Sequence, residues 1–204
     1  MKITLSDWLP ISAVLLSLSA SLMIPADAGA ETPTGAEAAC ALCPSEVAFR
    51  FLYGKSNKGS LDFYTFGPRV AFDLPRFVPP IAGNRVRLAI ELLGSTIRDG
   101  RTDHEIAFSP LIFDYRYDVG FPIVPFVEGG EGLLYTSLDG LHLGGHFQFS
   151  SQAGGGLHLF FTAHDALTIG GRIRHISNAG IHRENSGLNT YFVTFAWSHF
   201  PTRQ

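Results

Sequence analysis

Residues 190–198 read Thr-Tyr-Phe-Val-Thr-Phe-Ala-Trp-Ser, and within them Tyr191, Val193, Phe195 and Trp197 alternate with Thr190, Thr194 and Ser198. Successive side chains of a strand leave opposite faces, so period-two spacing of large apolar residues is a strand signal. The pattern recurs upstream. Val47, Phe49, Phe51 and Tyr53 alternate with Glu46, Ala48, Arg50 and Leu52. Val86, Leu88, Ile90 and Leu92 alternate with Arg85, Arg87, Ala89 and Glu91. Leu111, Phe113, Tyr115 and Tyr117 alternate with Ile112, Asp114 and Arg116, and Leu167, Ile169 and Ile173 with Thr168, Arg172 and Arg174. Segments near 61–72, 124–135 and 146–161 are strand-like with less regular alternation. No amphipathic helix of three turns is readable after residue 30.

Turn residues separate these segments: Gly54 to Gly59, Pro79-Pro80 to Asn84, Asp99-Gly100, Asp139-Gly140 and Asn185 to Gly187. About eight strands result, the size of the smallest common membrane barrel. Composition points the same way. Of 204 residues only 16% are charged, 12% are aromatic and 22 are Gly, which excludes a disordered chain. With 15 Lys+Arg against 18 Asp+Glu, the net charge of -3 offers no positive field to collect nucleic-acid phosphates. Mean hydropathy is +0.16, yet no internal run reaches the ~18 apolar residues of a spanning helix. Apolar on average without being continuously so is what alternating strands give when one face meets lipid. A soluble β-sandwich or a lipocalin-like barrel would show more charge and a polar face on each strand. The expected fold is therefore all-β, an eight-stranded antiparallel transmembrane β-barrel over residues 45–204.

Residues 1–30 read as a secretory signal peptide: Lys2, an apolar stretch from Trp8 to Ile24, and the overlapping small-residue sites Ala26-Asp27-Ala28 and Ala28-Gly29-Ala30. Residues 31–44 are expected to form an N-terminal periplasmic segment. It contains the only two cysteines, Cys40 and Cys43. They lack the second ligand pair of a zinc site, a following His for haem attachment and a βαβ context for thioredoxin-like chemistry, so a local disulfide is expected.

With both termini periplasmic, odd strands run outward, and the seventh (about 166–177) ends at the outer surface. There stands Arg174-His175-Ile176-Ser177-Asn178-Ala179-Gly180. His175 and Ser177 share the parity of Leu167, Ile169 and Ile173, so both face lipid. A polar pair there is costly unless it lies near the headgroups or has work to do. Ser becomes a useful nucleophile beside a base, and His is the usual one. The turn of Asn178, Ala179 and Gly180 offers backbone N–H groups to an oxyanion.

The run His175-Ile176-Ser177-Asn178-Ala179-Gly180-Ile181, followed by Asn185-Ser186-Gly187-Leu188-Asn189-Thr190-Tyr191, resembles the signature of the outer-membrane lipid A 3-O-deacylases (acyloxyacyl hydrolases). The resemblance is strongest from Gly144 to Phe200. It implies a serine esterase that removes the acyl chain ester-linked at position 3 of lipid A, with lipopolysaccharide as substrate and no cofactor or metal. It implies Ser177 as nucleophile, His175 as general base, and Asn178 and the turn through Ala179 and Gly180 as oxyanion hole. The family pattern carries a glutamate fourteen residues after the histidine; this chain has Asn189. An amide can still accept the imidazole N–H and fix the tautomer. Asn189 is thus the expected orienting residue, with Glu184 in the connecting loop as the alternative.

Other features carry less. His142 and His146 stand four apart, but in a strand-like region, and His158 and His164 lack spaced partners, so all four read as scattered polar residues. Arg69, Arg85, Arg87, Glu91, Glu105, Asp114, Arg116 and Glu128 suit a lumen held by ion pairs, or for some of the arginines a clamp on lipid phosphates. Gly129-Gly130 and Gly154-Gly155-Gly156 read as bends or close packing. The competing functions are a non-catalytic structural or adhesion-type barrel, in which His175 and Ser177 could change freely, and a channel, which an eight-stranded interior leaves little room for.

Overall fold

The computed structural model describes residues 43–74, 85–117, 122–139 and 141–201. Residues 1–30, read as a signal peptide, and Cys40 lie outside them. Cys43 is disulfide-bonded.

The fold is a closed antiparallel barrel of eight strands: β1 Glu46–Ser56, β2 Asp62–Asp73, β3 Arg85–Arg98, β4 Thr102–Arg116, β5 Ile123–Thr136, β6 Phe147–Phe160, β7 Asp165–Ser177 and β8 Leu188–His199. Each strand pairs with its sequence neighbours, and β8 returns to pair with β1. Closure leaves no edge strand unpaired. Alternation sets the two surfaces. Phe49, Phe51, Phe66, Ile106, Phe113, Val193 and Phe195 are among the exposed side chains of an outward apolar belt.

The fourth strand begins well before the regular alternation at Leu111. Its register shifts between Phe108 and Leu111 against β5, and opposite Ala89/Glu91 against β3. Pro110, which has no N–H for a ladder bond, lies in this bulge. Asp103, Glu105 and Ser109 point inward before it, and Ile112 and Asp114 after it. The extra residue inverts the parity, which hides the first half of β4 from a period-two reading.

Inside, Arg50, Arg69, Arg87 and Arg172 meet Glu46, Glu91, Asp114 and Glu128 in one charge-balanced network. Glu91 receives Arg50 at 2.5 Å, Arg69 at 2.8 Å and Arg172 at 2.7 Å. Arg174 pairs with Glu105 at 2.5 Å. The lumen reading therefore holds for Arg69, Arg87, Glu91, Glu105, Asp114 and Glu128; Arg85 pairs with Asp73 and is only half-buried. The glycines make room: a Cβ on Gly154 would fall 2.5 Å from the Gly171 carbonyl on β7. Apolar side chains, including Leu52, Phe63, Leu93, Ile176 and Phe192, pack at the end where β1–β2, β3–β4, β5–β6 and β7–β8 are joined. Val124, Phe160, Ala166 and Phe200 pack at the other. These fillings make the interior a packed core rather than a pore.

Candidate active site

His175 and Asn189 sit opposite each other in the β7–β8 register, with Ile176 paired to Leu188 beside them. Cross-strand pairs on one face are close enough to bond. His175 Nδ1 lies 2.6 Å from Asn189 Oδ1. An amide oxygen only accepts, so Nδ1 is the donor of this bond. Of the two expected orienting residues, it is Asn189 that reaches the imidazole; the Glu184 carboxylate instead meets His142 Nδ1 at 3.3 Å. Ser177 shares the outward face with His175 and is half-buried. Its hydroxyl has no hydrogen-bond partner among the described residues. Catalytic hydrogen bonds commonly tighten only when substrate is bound.

Residues from elsewhere hold this pair. Asn57, on the β1–β2 connection, donates its N–H to the Asn189 carbonyl at 2.9 Å and accepts the Asn189 N–H on Oδ1 at 3.0 Å. Lys58 Nζ donates to the carbonyls of Ser186 and Gly187 at 2.7 and 2.9 Å. Gly187 has φ +59°, and a Cβ there would stand 2.7 Å from His175 Cε1. Glycine thus meets two demands at once, a left-handed backbone and contact with the imidazole.

In the Asn178–Gly180 turn, two of the three N–H groups are already engaged. The Asn178 N–H already donates to Asn185 Oδ1 at 3.0 Å, and the Gly180 N–H to Asn178 Oδ1 at 2.8 Å. The Asn178 side chain is buried and ties two loops together, donating from Nδ2 to the carbonyls of Leu143 at 2.9 Å and Glu184 at 2.7 Å. Of the three turn amides, that of Ala179 is the one with no acceptor among the described residues. Ala179 has φ +53°, a strained value for a residue with a Cβ. Asn178 is a knot that shapes the turn, and the Ala179 N–H is the donor left available.

Beside this turn a cavity of about 570 Å³ opens between the β5–β6 and β7–β8 loops, lined by Leu138, His142, Leu143, His146, His182 and Glu184 among others. Glu46, Asp114 and His158 form a buried group near the opposite end whose ligand-type atoms lie within 4.8 Å of one another. Arg87 already pairs with both acids, at 2.7 Å each, so the group belongs to the ion-pair network.

A family model described as lipid A 3-O-deacylase (PagL) matches residues 81–198, more than half of the 204. Among solved structures, the crystal structure of the outer membrane enzyme PagL is similar at 24% identity and a TM-score of 0.61, over 73% of this chain and 97% of that one. Neisserial surface protein A is similar at 14% identity and a TM-score of 0.47, over 76% of this chain and 94% of that one. No curated protein matches the chain.

Proposed function

The chain belongs to the lipid A 3-O-deacylase family, and on that premise we propose that it is an outer-membrane serine esterase that hydrolyses the acyl chain ester-linked at position 3 of lipid A. The observation that carries this reading is the 2.6 Å His175–Asn189 bond on the outward face, two residues before Ser177. The pair stands at the barrel end farthest from Glu46, where β7 stops. With the termini in the periplasm, that end meets the outer leaflet.

The ester lies against the barrel wall. His175 Nε2 takes the proton of Ser177 Oγ as that oxygen attacks the ester carbonyl carbon. The carbonyl oxygen becomes an oxyanion and accepts the Ala179 N–H. The intermediate collapses, the C–O bond to the sugar breaks, and His175 returns the proton to the departing sugar oxygen. Water then attacks the acyl-Ser177 ester, giving its proton to His175, and the fatty acid leaves as the serine is reprotonated. Asn189 keeps Nδ1 protonated throughout. Tyr191 and Val193, outward on β8, lie beside the path of the acyl chains.

Mass spectrometry of lipid A incubated with the purified barrel tests the proposal. Loss of one 3-linked hydroxyacyl chain, absent with Ser177→Ala, is the expected result. Full hydrolysis by Ser177→Ala would remove Ser177 as nucleophile.

A further inference from the structure

A row of polar side chains crosses the apolar belt at the level of His175. The register pairs Glu131 on β5 with Ser151 on β6, Ser151 with His175, and His175 with Asn189. Ser151 Oγ donates to Glu131 Oε2 at 2.8 Å. The other neighbours of Glu131 are apolar. Val127, Leu133 and Tyr135 share its face on β5, Leu111 pairs with it from β4, and all are exposed. Other outward charges in the strands, such as Lys55, Asp62, Arg98 and Asp165, stand at or next to strand ends. Glu131 stands well inside one. A charged side chain on a lipid-facing surface is destabilising, the more so with depth. This carboxylate is bonded to the direct cross-strand neighbour of the histidine.

We infer that Glu131, acting through Ser151, is a positioning residue for His175 and supplies from the β6 side the negative charge that Asn189 lacks. This rests on the catalytic reading above. An amide at 189 fixes the tautomer but brings no full charge to balance the imidazolium formed when Ser177 is deprotonated. Adjacent strands are about 4.8 Å apart, so Glu131 lies about 10 Å from the imidazole, two strands over. Where lipid excludes water and salt, a charge still acts over that distance. The bond geometry adds direction. A hydroxyl whose proton is committed to a carboxylate shows only lone pairs to its other neighbours. Toward His175, its register partner, Ser151 can then offer only an acceptor, which favours the imidazolium over the neutral ring.

The test is a double-mutant cycle with steady-state kinetics on lipid A, using full-length barrel whose folding is checked by heat-modifiable gel migration. Glu131→Gln is expected to lower kcat about ten-fold with KM within about two-fold, since the charge acts only on the transition state. Ser151→Ala should lower kcat similarly, and the double variant should lose little more. In an Asn189→Glu background a charge touches the imidazole directly, and Glu131→Gln should then cost less than about two-fold. A loss of equal size in both backgrounds, or a folded Glu131→Gln with unchanged kcat, overturns the inference. A second readout is the labelling rate of Ser177 by a fluorophosphonate, located by peptide mass spectrometry. It should fall about as much as kcat in Glu131→Gln. Labelling at Ser151 instead would make Ser151 the nucleophile and overturn the positioning role. A wild-type chain neither labelled nor active overturns the catalytic reading and this one with it. A labelled, active wild type whose Glu131→Gln is unchanged overturns this one alone.

Discussion

The ion pairs of the lumen and the polar row on the wall at the level of His175 are wired differently. In the lumen every carboxylate of the main network meets at least two arginines; Glu91 meets three. On the wall, Glu131, Ser151, His175 and Asn189 stand in single file, with one bond from Ser151 to Glu131 and one from His175 to Asn189. Redundancy suits a scaffold, because buried charges are tolerated only when compensated. A single file suits chemistry, because one bond, through Nδ1, orients the imidazole. The contrast is that lumen changes should alter stability and spare turnover, while wall changes should alter turnover and spare stability.

The largest expected effect breaks the wall. Ser177→Ala should reduce deacylation at least about 10³-fold while leaving the denaturant midpoint of the barrel in place; a shifted midpoint would mean that Ser177 also has a scaffolding role. Next comes the lumen. Arg172→Met leaves Glu91 with two arginines and Glu128 with two, so it should cost about 3 kcal/mol in equilibrium unfolding, the low end for breaking a buried pair. Its kcat should stay within about two-fold. Gly187→Ala sharpens the boundary between the sets. It forces a Cβ onto His175 at a positive φ, and kcat should fall about ten-fold for about 1 kcal/mol of stability. The smallest effect is expected at Asn57. Removing the side-chain acceptor of the Asn189 N–H in Asn57→Ala should lower kcat about five-fold, the worth of one hydrogen bond. Asn57→Asp, which keeps an acceptor there, should restore most of it.

Much of the fold is legible in the chain because period-two alternation is a local property. All eight strands are visible, and the parity that turns His175 and Ser177 outward is readable from Leu167 onward. The bulge at Pro110 and the glycines of β6 defeat the same reading, the first by inverting parity and the second by offering no side chains to alternate. The site is legible only along the chain. His175, Ser177 and Asn189 fall on two consecutive strands, so their spacing carries the geometry. Glu131, Ser151 and Asn57 belong to the same neighbourhood only through the register of β5 with β6, β6 with β7, and the meeting of β8 with the β1–β2 connection. No spacing announces that. Asn178 is ambiguous for another reason: its side chain can serve a turn or a ligand, and in the structure it donates to the carbonyls of Leu143 and Glu184.

The outward placement of His175 and Ser177 changes what substrate concentration means for this protein. On the proposed reading, a site on the outer wall is reached sideways, by lateral diffusion in one leaflet, and the governing variable is the mole fraction of lipid A in that leaflet. Diluting the sample with buffer should leave the rate per barrel unchanged. Diluting the leaflet with inert lipid or detergent should lower it, as for any reaction confined to a surface.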